Sequence, residues 1–364
     1  MPSAVGHERG DPRADQGGHE PHDVDHAETS RHGGSLAIPT RAPGPGLVAR
    51  TIGRLAAFSL GKPGLAEFLA LRLGSPRECG WALWNEAAFR LGLDRASVLT
   101  TLNVELTSRC NVACSYCDVN RELGRPGIDL DLAVLERLLD DAPHVHTLLP
   151  FQWGEPFLHP ELDRAVAMAT ERRVTTWITT NGTLLDGPRL ERLAAAGLRH
   201  LTVSLDGDEA VHRERRGYAQ GPILERIAEA RHARDRLGLP VSLHASMVVD
   251  EHVADQRAEV TRRLESLVDR VQFIPRLQQR ARSKPCREPS RGLMVVLSDG
   301  SITTCCPDVR GELALGHVDD GDAHSIYGGA KWRRLRAEHR AGHFRGPCEQ
   351  CDEACVAGTE KRFA

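Results

Sequence analysis

Three cysteines constrain this chain more than any other feature in it. Cys110, Cys114 and Cys117 stand at C-x3-C-x2-C spacing directly after a short apolar run, LNVEL at 102–106, that reads as a strand. Three thiolates on one short loop can bind three irons of a cubane and leave the fourth iron without a protein ligand, where chemistry can take place. A zinc knuckle would want a fourth ligand nearby, and a ferredoxin run would want two-residue spacing throughout; spacing alone leaves both open. Metal is expected over disulfides because the opening residues, MPSAVGHERGDPRADQ, are polar and contain no secretory apolar core.

The wider sequence sets bounds. A length of 364 residues accommodates one large domain and a smaller one, and the net charge of -3 offers no bulk electrostatic case for nucleic acid or an anionic membrane. No apolar run is long enough to span a bilayer. A cytoplasmic protein with no nucleic-acid or membrane partner is expected. Residues 1–45 are rich in Gly, Pro, His, Asp and Glu and are expected to form a disordered tail. Residues 46–97 read as a helical segment, with LVARTIGRLAAF and GLAEFLALRLG split at Lys62-Pro63.

From Leu102 the rhythm changes. Strands are expected at 102–106, 147–152, 174–179, 200–205, 241–248 and 270–274, with helical spacing at 131–141, 161–172, 188–197, 221–237 and 255–267. Asp129 is the N-cap candidate for the first of these helices; Pro188 and Gly197 bracket the third. Such alternation argues for an α/β domain with a parallel sheet curled into a partial barrel, over 98–278. After Pro275 the alternation stops: LMVVL, Asp299-Gly300 and SITTC read as a hairpin, and a helix at about 323–339 precedes the cysteine-rich CEQCDEAC. Residues 279–364 therefore read as a small appended domain that needs metal to fold.

The stretch ELTSRCNVACSYCDVN resembles the signature loop of the radical S-adenosylmethionine (SAM) superfamily, including Tyr116 before the last cysteine. Gly154-Glu155-Pro156 resembles its GGEP motif, with Trp153 in place of the first Gly, and Thr180-Asn181-Gly182 and Ser204-Leu205-Asp206-Gly207 follow in order at strand ends. The resemblance implies a partial (β/α)6 TIM-like barrel with a SAM-binding [4Fe-4S] cluster on Cys110, Cys114 and Cys117. It further implies SAM contacts from Gly154, Glu155, Asn181, Ser204, Asp206, the backbone at Tyr116, and Arg216, for which Arg213 and Arg215 compete. The SAM-derived 5'-deoxyadenosyl radical would abstract a hydrogen atom from substrate. An electron donor such as flavodoxin or ferredoxin is implied as partner.

Cys286, Cys305, Cys306, Cys348, Cys351 and Cys355 resemble the SPASM/twitch extension of these enzymes, which holds auxiliary [4Fe-4S] clusters. One auxiliary cluster on Cys286, Cys305, Cys348 and Cys351 fits the count best, leaving Cys306 and Cys355 spare; a four-thiolate zinc site is the structural alternative. Cys79 reads as a buried core thiol. The chain further resembles the aminocyclitol and aminoglycoside tailoring group, such as 2-deoxy-scyllo-inosamine dehydrogenase. Oxidation of a secondary alcohol of an aminoglycoside-type substrate to a ketone, in antibiotic biosynthesis, is therefore expected. Epimerisation ranks second, since no unassigned cysteine sits at a barrel strand end to return a hydrogen atom. Arg276, Arg280 or Arg282 would assist deprotonation of the hydroxyl, while Glu105 and His244 would face the barrel interior and contact the substrate. Maturation of a ribosomally made peptide is the alternative, set lower because 47–97 lacks the strands of a peptide-recognition domain.

Overall fold

The computed structural model describes residues 76–117, 127–276, 281–305 and 307–351. The expected tail (1–45), the two helices between 47 and 74, Arg280, Cys306 and Cys355 lie outside these residues.

Helix α1 (Pro76–Arg90) leads to β1 (Thr101–Val104), and the β/α alternation then runs as expected. In order come α2 (Leu132–Asp140), β2 (Thr147–Leu149), α3 (Leu162–Glu171), β3 (Thr175–Thr180), α4 (Gly187–Ala195) and β4 (His200–Ser204). They are followed by α5 (Glu209–Arg216), α6 (Gly221–Leu237), β5 (Ser242–Val249), α7 (Arg257–Leu264) and β6 (Arg270–Pro275). Each strand from β1 to β6 pairs in parallel with the next, so consecutive strands are neighbours joined by βαβ crossovers. The helices cover the outer face, where Leu201, Val203, Ile178 and Ala245 are buried with Leu190, Leu193 and Ile227. Each buried leucine there contributes roughly 1.5–3 kcal/mol.

Helix α2 shows how the local sequence sets an element. Leu132, Leu135, Leu138 and Leu139 form its buried stripe. Its N-cap is Asp131, whose side chain accepts from the Ala133 N–H. Asp129, expected in that role, instead forms an antiparallel bridge with Thr107 and pairs with Arg109. The capping residue must lie one position before the helix, and Asp129 is too early to reach an unpaired N–H of the first turn. The reading also places no helix at 209–216. There Asp208 accepts from Val211 N–H and Gly217 closes the far end at φ 80°, giving α5.

The strands of the C-terminal part continue the barrel's sheet. Strand β7 (Leu293–Val296) joins the free edge of β1 in parallel, from Thr101↔Leu293 to Val104↔Val296. Strands β8 (Ser301–Thr303) and β9 (Gly316–His317) add on antiparallel, completing a nine-stranded sheet. The hairpin at Asp299-Gly300 is as expected, with Gly300 at φ 86°. The single helix expected over 323–339 is two, α8 (Ala323–Tyr327) and α9 (Ala330–Arg340), broken at Gly328-Gly329. No helix among the described residues is long and apolar enough to cross a membrane.

Candidate active site

The first cysteine loop lies across the C-terminal ends of β2, β3 and β4, where parallel α/β barrels gather their chemistry. Each landmark motif grips it. Gly154 packs against the residues just before Cys110: a Cβ there would lie 2.0 Å from the Thr107 carbonyl oxygen and 2.8 Å from that of Arg109. The neighbouring Glu155 N–H donates to the Arg109 carbonyl at 2.8 Å. The Glu155 carboxylate is buried and accepts from Phe157 N–H, Thr180 Oγ1 and Asn181 N–H, at 3.1, 2.7 and 2.7 Å. Burial still holds its pKa above the usual carboxylate range despite those bonds. Asn181 in turn donates to Asn111 Oδ1 at 2.9 Å, one residue past Cys110.

On the other side Tyr116 anchors the loop. Its hydroxyl donates to Asp206 at 2.6 Å, and Arg216 donates both to that hydroxyl (2.8 Å) and to Asp206 (2.9 Å). The second carboxylate oxygen of Asp206 accepts from Val248 N–H. Asp206 is therefore fully buried with both oxygens occupied. In the structure Asp206, expected at the ribose, accepts from Tyr116, Arg216 and Val248. The buried Arg216, expected on the SAM carboxylate, is likewise committed to this pair. Of its competitors, Arg215 forms a bidentate pair with Asp250, both bonds 2.7 Å, and Arg213 is an exposed partner of Glu209. Ser204 closes β4 half-exposed, in register with Ser246. Burial pushes the thiols of Cys110 and Cys114 up, while the Arg216 charge partly offsets this at Cys114.

The inner face of the barrel is polar. Register places Trp177, His200, Thr202 and His244 on one face of β3–β5. Trp177 stacks on His200 at 3.7 Å, and His244 lies 5.9 Å from each. Burial lowers His200 to about 3 and His244 to about 4, so both imidazoles are neutral near pH 7. Glu105 falls on the same face by alternation, fully buried, and accepts from Ser298 N–H at the β1–β7 seam. Arg276 bonds Asp250 at 3.3 Å and lies 6.0 Å from the centre of the Tyr116 ring. Despite the cost of burial, Arg215 and Arg276 hold Asp250 below the usual carboxylate range.

Cys286, Cys305, Cys348 and Cys351 line one small cavity together with Arg282 and His339. Burial pushes Cys286 up to about 12 and Cys348 up to about 11, so both are protonated thiols until a metal displaces the protons. Among the described residues no three Cys, His, Asp or Glu groups converge as a single-ion site. The cysteines enclose a volume instead, and this soft-donor wall fits a cubane cluster. Cys79 is fully buried in α1. Sequence reasoning passed over Asn111, Asp250 and His339. Asn111 sits within the signature loop and was within reach; His339, in a helix with no motif, was not.

Comparison with known proteins agrees with the two centres. The radical SAM superfamily model matches residues 104–264, and the iron–sulfur cluster-binding SPASM domain model matches 286–352. The PqqA peptide cyclase of Granulibacter bethesdensis is 36% identical over 144 residues, which is 39% of this chain and 38% of that protein. This chain thus matches well under half the length of that curated relative. Among solved structures, BtrN in complex with AdoMet and 2-DOIA gives a TM-score of 0.50 at 20% identity, over 70% of this chain and 93% of that one. SuiB of Streptococcus suis gives 0.52 at 15% identity, over 78% of each chain. At such identities these two show the fold alone. The peptide cyclase relatives overturn the expected aminocyclitol dehydrogenase, and with it the antibiotic-pathway setting in which Arg276, Arg280 or Arg282 would have met a substrate hydroxyl. The two matched domains imply a SAM-binding [4Fe-4S] cluster, auxiliary cluster binding and SAM. The chain carries a radical SAM domain in an α/β partial barrel, followed by a SPASM domain.

Proposed function

We propose that this chain is a radical SAM enzyme that modifies a peptide substrate. The observation that carries this reading is the run of relatives at 34–36% identity that are all PqqA peptide cyclases.

When bound, the cluster and SAM supply a hydrogen-abstracting 5'-deoxyadenosyl radical. Cys110, Cys114 and Cys117 would hold that cluster. Asn181 and Tyr116 hold their loop from two sides, and Gly154 lets the chain pass close enough for Glu155 to join β2 to β3. Ser204, Asn181 and the backbone at Gly154 and Tyr116 line the strand ends that would receive SAM. Arg216 keeps a buried positive charge beside Cys114. Cys286, Cys305, Cys348 and Cys351 would hold an auxiliary cluster, and a small electron-transfer protein would deliver the initiating electron.

The test is anaerobic turnover of the reconstituted protein with SAM, reductant and short peptides encoded near its own gene, made with deuterated side chains. Peptide-dependent deuterium in 5'-deoxyadenosine, with a change in peptide mass, is the expected outcome. Hydrogen abstraction from a free sugar or cyclitol, with peptides inert, would overturn the reading.

A further inference from the structure

The C-terminal cavity contains more than thiols. His339 is 2% exposed and Arg282 7%, and both line it beside the four cysteines. The Cys286 N–H donates to His339 Nδ1 at 3.4 Å. An Nδ1 that accepts a hydrogen bond is unprotonated, so the neutral ring carries its proton on Nε2. That Nε2 is buried and has no partner among the described residues. The ring is held in place by the edge of Phe344, at 5.2 Å and 80°. Arg282 is fixed by its own backbone bond to the Glu349 carbonyl, by Nη1 donating to the Lys284 carbonyl at 3.3 Å, and by a bond to Cys351. Its Nε is also buried without a partner. The carboxylate facing the same cavity, Glu288, is paired with Arg291 at 2.8 Å, which moderates its charge.

We propose that His339 and Arg282 raise the reduction potential of the cluster held by Cys286, Cys305, Cys348 and Cys351. His339 does so through a hydrogen bond from Nε2–H to a cluster or cysteine sulfur, and Arg282 through its charge. Reduction adds one electron and breaks no bond. The reduced state carries one more negative charge, which a donated hydrogen bond and a cation both stabilise. A buried N–H left without an acceptor is unfavourable, so a ring locked with its donor toward the cavity favours an acceptor there. This rests on the auxiliary-cluster reading above.

The experiment is an EPR-monitored redox titration of the anaerobically reconstituted full chain carrying Cys110→Ala, Cys114→Ala and Cys117→Ala, so that one cluster remains. His339→Leu is expected to shift the midpoint to more negative potential, changing the oxidised-to-reduced ratio at a fixed poise about tenfold, or about 59 mV for one electron, with iron per chain unchanged. His339→Gln keeps an N–H donor and recovers most of that shift. Arg282→Met lowers the midpoint and Arg282→Lys does so less. An unchanged midpoint in an iron-replete His339→Leu protein would overturn the proposal. Should that variant fail to hold iron, pulsed ENDOR on the parent in H2O and D2O decides: a strongly coupled exchangeable proton that His339→Gln perturbs supports it, and no such proton sinks it. A parent that binds zinc, or no iron, removes the cluster reading itself and this inference with it.

Discussion

Asp206 lies where the sequence offers a carboxylate to a bound sugar, yet its oxygens are taken by Tyr116, Arg216 and Val248. Breaking a buried ion pair by removing one partner costs about 3–5 kcal/mol, because the surviving charge has no counter-ion. Asp206→Ala is therefore expected to destabilise the apoprotein by about that amount in urea denaturation. Tyr116→Phe, which removes only a hydroxyl shared between two hydrogen bonds, costs about 1–2 kcal/mol. An Asp206→Ala protein as stable as its parent, with only SAM affinity reduced, would favour the ribose reading over the anchoring one. The motif itself was legible in the sequence; its contacts were not. Tyr116 lies 90 residues from Asp206 and Arg216 lies 10 residues from it, so only the fold shows that three polar groups meet. The cysteines were legible because ligand spacing is local, whereas His339 reaches the Cys286 N–H across 53 residues.

At the scale of elements, the strand ends do the positioning. Glycine at 154 is required by contact with the loop it supports, since any side chain there would meet backbone oxygen that cannot move aside. Gly154→Ala is expected to cost at least about 1–3 kcal/mol and to lose most of the iron of the first cluster on reconstitution. Gly80, in α1, has nothing within 4 Å of a built Cβ. Gly80→Ala should leave iron content unchanged and raise stability by about 0.5–1 kcal/mol, since glycine costs that much in a helix. Equal iron in the two variants would show that Gly154 does not set the loop. Period-2 and period-3.6 patterns made the barrel strands and most helices readable. The exceptions have local causes: α5 has a short polar stripe, and its N-cap, Asp208, directly follows a motif that reads as a site. The break between α8 and α9 rests on Gly328-Gly329 within an otherwise helical spacing.

At the scale of the molecule, one sheet runs through both the barrel and the SPASM segment. Strand β7 satisfies the backbone edge of β1, and Gly292 at its start accepts from Thr100 and Thr101 N–H and donates its own N–H to Tyr327. A buried Arg336 on α9 adds bonds to the carbonyls of Pro289, Asp94 and Tyr327, tying the segment after α1 to the C-terminal helices. Alternation along the sequence could not reveal this, because parallel pairing of β1 with β7 joins residues as far apart as Thr101 and Leu293 and no local pattern encodes it. An edge so covered makes the barrel and the SPASM segment one cooperative unit, since unfolding either leaves unpaired backbone and exposed apolar surface on the other. Trp177 reports on the barrel and Trp332, fully buried in α9, on the C-terminal part. In apoprotein variants retaining only one or the other tryptophan, the fluorescence transitions in urea are expected to share one midpoint. Two resolved midpoints, with the Trp332 transition at lower urea, would show that the seam does not couple them and that the C-terminal segment folds on its own terms.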